Sequence, residues 1–377
     1  PMAVCGDPES RHGIILAKNE LAKSYGVATA ETIWQARKKC PELVLVPPRR
    51  DAYVLFSRKV NAIYQQVTSQ VEPFGIDESW LDVTASRMLF GTGPEIADQL
   101  RKRVREELGL TISVGVSFNK VFAKLGSDYK KPDATTVISR ENYRQLVWPL
   151  PVTDLLYVGR AAAAQLEKMG VTTIGELARC DDRILRDKLG RMGPQLGRCA
   201  RGEDDSPVAE CDAVTEPKSV GNGSTFAHDL HSREEVASSL LALCDRVAGR
   251  LRKNGQQAAT VAGSIKDTQF RQISRQKALR LPTDLTGTLY EAVMALMDQN
   301  WDYGRPIRAL TVTASGFDQG DVGDQLSLFA PPEADGDQQK RRQLAGAVDR
   351  IRSRYGQEAV SLARLVKHEK DPENEER

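Results

Sequence analysis

The chain has 377 residues, of which 40% are hydrophobic and 28% charged. Its 53 Lys and Arg residues nearly balance 51 Asp and Glu residues, so any affinity for nucleic acid must come from local basic patches. The sequence contains no apolar run near the roughly 20 residues of a membrane span and no signal-peptide pattern, so we expect a cytoplasmic protein without a membrane partner. The length predicts several domains. The six cysteines form no CxxC pair, which indicates reduced packing residues.

The first 147 residues alternate short strands and helices. Strands are predicted at residues 3–5, 13–17, 43–46, 71–83, 111–116 and 136–138. Helices are predicted at residues 18–25 and 32–39, from residue 51, around residues 96–104 and at residues 119–129. This alternation favours one sheet with helices packed on it, which is an α+β arrangement.

The remainder of the chain divides at prolines and glycines. A helical region follows Pro149 and Pro151 to about residue 211, and an αβ module follows at residues 214–317, with helices near 233–254 and 285–300. Residues 319–338 are predicted to be a flexible linker, residues 341–355 an amphipathic helix, and the charged end a disordered tail.

Two acidic residues, Asp77 and Glu78, lie inside the otherwise apolar segment FGIDESWLDVT. Carboxylates buried in a strand need a partner, and Mg²⁺ binds carboxylate oxygens together with substrate phosphates. The alternative is a hairpin turn whose acids face solvent. The segment alone leaves both interpretations open.

A lysine-rich segment, VSFNKVFAKLGSDYKKPD, spans residues 116–133. Its helix should begin at a cap formed by Ser117 or Asn119, and capped helix starts and lysines suit phosphate binding. Pro132 would end the helix and hold Lys131 or its neighbour at a fixed position in the loop. A solvated basic face is the alternative.

Residues 154–178 have the layout of a helix-hairpin-helix, whose turns offer backbone N–H groups to a DNA phosphate. Gly159 supplies the second glycine of the first turn, whereas Tyr157 stands where the first glycine is usual. An ordinary helical hairpin would have the same pattern.

A basic stretch lies in the later αβ module, where Asp267 is the single acid between residues 250 and 280. Its cations are Arg250, Arg252, Lys253, Lys266, Arg271, Arg275, Lys277 and Arg280. Strand-spaced cations on one face of a sheet would follow a phosphate backbone, with steep salt dependence. A solvated basic face without a ligand is again the alternative.

A short apolar peptide, QLSLF, interrupts the polar linker with Gln325, Leu326, Leu328 and Phe329. Exposed Leu and Phe side chains in a linker favour docking into a groove of a partner protein. Docking onto the chain's own surface is the alternative.

Taken in order, these segments resemble the Y-family DNA polymerases, in the bacterial DNA polymerase IV group. The resemblance implies a right-hand polymerase with fingers at residues 1–49, palm at 50–147, a helix-hairpin-helix thumb at 148–211, a little finger at 214–317 and a linker and tail at 318–377. Asp77 and Glu78 match the metal-binding carboxylates, Lys131 matches the lysine that contacts the triphosphate, and QLSLF is similar to the sliding-clamp peptide.

The resemblance also implies the chemistry. Two Mg²⁺ ions would assist attack of a primer 3′-hydroxyl on a deoxynucleoside triphosphate, in translesion synthesis by a monomer that binds primer-template DNA and the sliding clamp. The family's triphosphate-binding Tyr and Arg align with Glu20 and Lys23. Its first metal-binding Asp and its ribonucleotide-excluding aromatic would precede residue 1. The alternative is therefore a non-catalytic DNA- and clamp-binding protein, or an inactive fragment.

Overall fold

The computed structural model describes residues 1–8, 13–213, 216–317 and 332–365, with the side chains of the last segment described from residue 339. The chain divides into two compact units, one made of Arg49–Val214 and one made of Pro1–Pro48 together with Thr215–Arg377. The chain contains both helices and strands, which confirms the predicted α+β class. Among the described residues, none of the helices has both the length and the apolar character needed to cross a membrane.

The N-terminal segment is a small sheet with two short helices. Its elements are β1 (Met2–Cys5), β2 (Ile15–Lys18), α1 (Glu20–Ser24), α2 (Ile33–Lys39) and β3 (Val44–Val46). Strand β1 lies in the centre, antiparallel to β2 and parallel to β3. Helix α2 begins at a capping box, in which the Thr32 hydroxyl accepts from the backbone N–H of Gln35, so its start follows from local sequence.

The segment that follows contains two further small sheets. Its elements are α3 (Arg50–Tyr64), β4 (Val71–Pro73), β5 (Ser79–Leu81), α4 (Arg87–Phe90), α5 (Gly93–Leu108), β6 (Val114–Ser117), α6 (Lys120–Tyr129), β7 (Thr135–Ile138) and α7 (Tyr143–Leu146). Strands β4 and β5 form an antiparallel hairpin, and β6 and β7 form a parallel pair. The prediction of one sheet is therefore wrong for the described residues, because the alternation of elements does not determine which strands exchange hydrogen bonds.

Helix α6 lies unusually close to strand β6. A Cβ atom at Gly115 would be 1.9 Å from the carbonyl oxygen of Ala123, and one at Gly126 would be 3.0 Å from the Cα of Gly115. In the same helix, Val121, Phe122 and Leu125 are buried against neighbouring helices. The two glycines thus set the depth at which α6 packs.

Four helices and a short 3-10 turn at Val152–Asp154 form the helical region. The helices are α8 (Arg160–Lys168), α9 (Ile174–Arg179), α10 (Asp182–Leu189) and α11 (Met192–Arg201). Leu166, Ile174 and Leu185 are fully buried in a core that also includes Phe122 of α6. The helical region and α6 therefore share one hydrophobic core.

The later αβ module is a four-stranded antiparallel sheet covered on one face by two helices. Its elements are β8 (Ser219–Leu230), α12 (Arg233–Lys253), β9 (Ala258–Asp267), β10 (Gln272–Thr283), α13 (Thr286–Asn300) and β11 (Ile307–Phe317). The strand order is β10-β9-β11-β8. Val261, Gly263, Ile265 and Val312 face the helix-covered core, and the residues that alternate with them along the strands face the other way.

The C-terminal helix begins earlier than predicted. Helix α14 spans Pro332–Tyr355 and is followed by a 3-10 turn at Ala363–Leu365, whereas the sequence predicted a linker as far as residue 338. Proline is well tolerated in the first turn of a helix, so the proline content did not mark the linker's end correctly. The predicted linker at 319–331 and tail at 366–377 lie outside the described residues.

Ion pairs fasten helix α14 to the αβ module. The guanidinium of Arg252 in α12 donates to both carboxylate oxygens of Asp349, at 2.5 and 3.0 Å, and to the carbonyl oxygen of Asp284 at 2.7 Å. Arg352 donates to Asp245 at 2.7 Å. Both arginine side chains are largely buried, so α14 is an integral part of this unit.

The Arg252 contact predicts a specific stability loss. Asp349→Ala should lower the free energy of unfolding by about 1–3 kcal/mol, since a largely buried guanidinium would lose its carboxylate partner. Denaturant unfolding followed by circular dichroism measures the change. Arg350→Ala, an exposed change in the same helix, serves as the control, and an equal loss in both variants would contradict the role assigned to the ion pair.

Candidate catalytic site and nucleic-acid interfaces

Asp77 and Glu78 lie in the turn between β4 and β5. The backbone N–H groups of Phe74 and Gly75 donate to the carbonyl oxygen of Glu78, at 2.9 and 3.3 Å, and close the turn. Asp77 is exposed and the Glu78 side chain is 37% exposed. Of the two alternatives that the sequence left open, the geometry is that of the hairpin turn, because each strand ends after three residues and the acids fall beyond the ladder.

Four charged side chains of alternating sign lie in a row from this turn to the end of α6. Glu78 Oε1 lies 3.1 Å from Lys124 Nζ, Lys124 donates to Asp128, and Lys131 Nζ lies 2.5 Å from the other oxygen of Asp128. We call these four side chains the charge row. It connects the predicted metal-binding glutamate with the predicted phosphate-binding lysine.

The electrostatics keep the two central members of the charge row ionised. Partial burial alone would lower the pKa of Lys124, but hydrogen bonds to Asp128 and Glu78 raise this pKa above its ordinary value. Partial burial alone would raise the pKa of Asp128, but Lys124 and Lys131 hold it below its ordinary value. Both groups are therefore charged at neutral pH.

Helix α6 is anchored at its start by one predicted contact, its N-cap, and by two contacts that the sequence did not predict. The Asn119 side chain accepts from the backbone N–H of Phe122 at 2.8 Å, as predicted for a cap. Lys120 Nζ lies 2.5 Å from Glu72 Oε2, and the indole N–H of Trp80 donates to the Lys120 carbonyl oxygen at 3.0 Å. These contacts join both strands of the β4–β5 hairpin to α6.

The helix residues that were not predicted as part of the site do have a pattern in the sequence. Lys120, Lys124 and Asp128 are spaced by four residues, which places them on one face of a helix. That face could have been predicted, but its carboxylate partners in the hairpin could not, because they lie more than forty residues earlier in the chain.

The residues at the turn fit a magnesium-nucleotide complex. Asp77 has no hydrogen-bond or ion-pair partner among the described residues, so both of its carboxylate oxygens are available to a cation. Mg²⁺ in nucleotide enzymes commonly takes one or two carboxylates, with substrate phosphates and water as the other ligands. No cluster of three or more His, Cys, Asp or Glu residues suited to a metal occurs in the described segments. The donor set thus suits Mg²⁺ held jointly with a phosphate substrate.

Lys23 lies in helix α1 of the other unit. Its ammonium is exposed and lies 3.5 Å from the carboxylate of Glu20, one turn earlier in the helix. The neighbouring carboxylate partly neutralises this lysine, although exposed pairs of this kind are weak.

The predicted helix-hairpin-helix turn has the expected backbone. Tyr157 has a φ of +73°, the left-handed conformation of the glycine that this position usually carries, and Gly159 is the N-cap of α8. Gly159 has no side chain to cap the helix, so the first N–H groups of α8 are left to an external acceptor. A DNA-phosphate contact at this turn stays a prediction.

The basic residues of the αβ module do not share one face, contrary to the prediction. Arg250, Arg252 and Lys253 lie in the last turns of α12, and Arg252 is committed to Asp349. Lys266 lies on the open face of the sheet, whereas Arg275 pairs in register with Gly263 on the helix-covered face and donates to Asn300. Successive side chains along a strand point to opposite faces of the sheet, so basic residues in one stretch of sequence are divided between the two faces.

Arg271 has a structural partner in the β9–β10 turn. Its guanidinium donates to Asp267 at 2.9 Å, and Arg305 donates to the same carboxylate oxygen at 3.2 Å. Burial alone would raise the pKa of Asp267, but hydrogen bonds from the Arg271 and Gln269 backbone and from the Arg271 side chain hold it below its ordinary value. Arg271 therefore stabilises the turn.

The peptide Gln325, Leu326, Leu328 and Phe329 lies outside the described residues, so its contacts are not described.

The six cysteines are free, and four of them are buried as predicted for packing residues, but Cys211 is exposed. The prediction of a packing role is wrong for Cys211, which lies after the last helix of its unit.

Comparisons with known proteins identify the family. The profile of the impB/mucB/samB family matches residues 1–128, and that of its C-terminal domain matches residues 217–328. DNA polymerase IV of Acetivibrio thermocellus is 44% identical over 366 residues, which cover 97% of this chain and 91% of the relative. DNA polymerase IV of Moorella thermoacetica is 38% identical over 96% of this chain and 89% of its own length.

A solved structure has the same fold. A Y-family DNA polymerase chimera of Dbh and Dpo4 aligns with a TM-score of 0.74 over 84% of this chain and 91% of the chimera, at 20% identity. The chain therefore belongs to the Y-family DNA polymerases of the impB/mucB/samB family, within the bacterial DNA polymerase IV group. The predicted family is thereby confirmed.

The charge row predicts an electrostatic coupling. Lys124→Met should raise the pKa of Asp128 towards its ordinary value, because one of its two cationic partners is lost. The lowered pKa stabilises the fold above the unfolded-state value of about 4, and this contribution disappears as pH falls through the folded-state pKa. Carboxyl NMR titration measures the shift. Lys102→Met, at an exposed pair in α5, is the control, and an unchanged Asp128 pKa in Lys124→Met would contradict the coupling.

Proposed function

We propose that this chain catalyses template-directed DNA synthesis of the translesion type, adding deoxynucleotides to a primer 3′ end. DNA polymerase activity follows from its family. The observation that supports the residue assignment is the position of the exposed carboxylate of Asp77 beside a charge row that ends at Lys131. In this arrangement the proposed cation-binding and phosphate-binding groups would share one surface.

Asp77 and Glu78 would hold the divalent cations. Two Mg²⁺ ions, when bound, would stabilise the attacking and leaving oxygens of phosphoryl transfer. Asp77 is the stronger ligand candidate because no protein cation competes for it among the described residues. One carboxylate oxygen of Glu78 lies 3.1 Å from Lys124 Nζ. This ion pair would hold the Glu78 side chain in place before substrate binds.

Lys131 would bind the phosphates of the incoming nucleotide. Its side chain is 52% exposed and its partner Asp128 is equally accessible, so the ammonium can exchange a protein carboxylate for a phosphate at small cost. Lys124 is mostly buried and faces two carboxylates, which makes it a positioning residue for Glu78 and Asp128. Lys23 is a weaker phosphate-binding candidate because Glu20 lies beside it.

The domain organisation proposed for this function is that of a right hand with an added module. Fingers would span residues 1–49, palm 50–147, thumb 148–211 and little finger 214–317, followed by a linker and tail. Gly159 in the thumb would bind primer-template DNA. In the little finger, the contacts would come from Lys266 on the open sheet face and from Arg250, Lys253 and Arg275, which have no carboxylate partner among the described residues.

The sliding clamp is the proposed protein partner. The peptide QLSLF lies between β11 and α14, and it combines a leading glutamine with apolar residues suited to a groove. This proposal depends on the sequence alone, since the peptide lies outside the described residues.

A non-catalytic DNA- and clamp-binding protein is the second candidate, because the thumb, little finger and clamp peptide would serve it equally. The unpartnered carboxylate of Asp77 favours the enzyme, since such a group has no use in DNA binding, where it would repel phosphate. The metal-ligand variants separate the two candidates.

Loss of either metal ligand should abolish synthesis. In the full-length protein, Asp77→Ala or Glu78→Ala should lower Mg²⁺-dependent single-nucleotide extension by at least about 100-fold while primer-template affinity changes little, because metal ligands act mainly in the transition state. Quenched-flow extension and fluorescence anisotropy measure the two quantities. Glu106→Ala, an exposed acid of α5, is the control. Wild-type rates in the Asp77 and Glu78 variants would refute the assignment.

Removal of the apolar peptide should affect only synthesis with the clamp. Deleting Gln325 to Phe329 should abolish stimulation by the sliding clamp and leave clamp-independent extension unchanged, with Leu328 and Phe329 as the expected anchors. Extension assays with and without clamp, together with calorimetry of the deletion variant against the clamp, test this. Clamp binding that survives the deletion would place the docking site elsewhere.

A further inference from the structure

A cluster of charged side chains joins helix α5 to the loop that carries Lys131. The carboxylate of Asp133 in this loop accepts hydrogen bonds from two arginines of α5. Arg101 donates to Asp133 Oδ1 from Nε at 3.1 Å and from Nη2 at 3.0 Å, and Arg105 donates to Oδ2 at 2.6 Å. Arg101 also donates to the backbone carbonyl oxygen of Asp133. The two arginines are four residues apart, so they lie on one face of α5 and hold the loop together.

Arg101 also connects α5 to the first residue of strand β7. Its Nη1 donates to Asp98 Oδ1 at 2.9 Å and to Thr135 Oγ1 at 3.3 Å, and the Thr135 hydroxyl donates to Asp98 Oδ1 at 2.7 Å. The side chains of Arg101 and Asp133 are each only 18% exposed, so water screens their ion pair weakly. A guanidinium has a planar fork of N–H donors, and Arg101 uses it to fix the loop and the strand together.

The backbone between Asp133 and Lys131 has little freedom once Asp133 is held. Asp133 has a φ of +49°, in the left-handed region, which aspartate tolerates better than most residues. Pro132 separates it from Lys131, and the proline ring fixes one backbone torsion. On the other side, the carbonyl oxygen of Ala134 accepts from the backbone N–H of Val114 at 2.8 Å, which ties the loop to strand β6.

The side chain of Lys131 is held less firmly than its backbone. Its ammonium is 2.5 Å from Asp128, and both side chains are about half exposed, where ion pairs contribute little. A lysine has a flexible four-carbon side chain, so its average position depends on where its backbone is fixed. Both carboxylate oxygens of Asp133 are taken by arginines, so this acid competes weakly with a phosphate for the ammonium.

We propose that Arg101 and Asp133 are positioning residues for nucleotide binding, which hold Lys131 where its ammonium reaches the phosphates of the incoming nucleotide. Neither residue contacts the nucleotide itself. This inference rests on the proposed function and adds helix α5 to the nucleotide site. Loss of Arg101 would have two effects on Lys131, because it would release the loop and free a carboxylate two residues away.

The test separates nucleotide binding from the rate of insertion. In the full-length protein, Arg101→Gln should raise the dissociation constant of the correct deoxynucleoside triphosphate by about 5- to 20-fold and change the maximal insertion rate less than about threefold. Single-turnover quenched-flow extension at varied nucleotide concentration measures both quantities. Arg101→Lys, which keeps the charge and loses the fork, should lie between Arg101→Gln and the wild type. Arg103→Gln removes an ion pair with Glu107 in the same helix and is the matched control, with both quantities unchanged.

A double-variant cycle tests whether Arg101 acts through Lys131. Lys131→Met should raise the nucleotide dissociation constant, and the addition of Arg101→Gln to it should have little further effect, since both changes remove one interaction. Where Arg101→Gln fails to fold, Asp133→Asn replaces it with the same expected results, because asparagine tolerates the left-handed region and loses the charge.

Three outcomes would overturn the inference. They are wild-type nucleotide affinity in Arg101→Gln, a defect confined to Tm and maximal rate, and a full effect of Arg101→Gln on nucleotide affinity in the Lys131→Met background. Wild-type nucleotide affinity in Lys131→Met would instead refute the phosphate-binding role proposed for Lys131, and with it the need for a positioning residue.

Discussion

The close approach of helix α6 to strand β6 is the constraint on which the candidate catalytic site depends. Only glycine fits at residue 115, because a Cβ atom there would lie 1.9 Å from a backbone oxygen of α6. This contact sets the height of the helix above the sheet and therefore the positions of Lys120, Lys124 and Asp128. The charge row exists because a backbone contact brings one face of α6 to the β4–β5 turn.

The charge row is almost self-neutralised before any ligand is present. Two carboxylates and two ammonium groups alternate along it, and Asp77 remains as an additional acid. An arrangement of this kind is held together by pairs that substrate can exchange, since a phosphate can replace Asp128 at Lys131 and a cation can replace Lys124 at Glu78. Under the proposed function, the same residues would order the site when it is empty and bind a metal-nucleotide complex when one arrives.

The basic residues of the αβ module and of helix α14 divide into two groups with different uses. Arg252, Arg271, Arg305 and Arg352 pair with carboxylates and stabilise helix α14 or the β9–β10 turn. Lys253 and Lys266 have no such partner in the described residues and remain available to a phosphate backbone. A count of basic residues in the sequence therefore overstates the number that can bind DNA, because part of the positive charge is used for folding.

Local patterns in the sequence determined most of the elements and the residue types of the site. Asn119 caps its helix as predicted, and the Asp77–Glu78 pair and Lys131 are the residues proposed for the metal-nucleotide site. Tertiary structure decided that residues 1–147 contain separate small sheets, that Asp77 lies in an exposed turn, that Lys124 links Glu78 to Asp128, and that Lys266 and Arg275 face opposite ways. The physical reason is that caps and periodicity act over a few residues, whereas sheet register and ion pairs join residues tens of positions apart, and no local pattern specifies such partners.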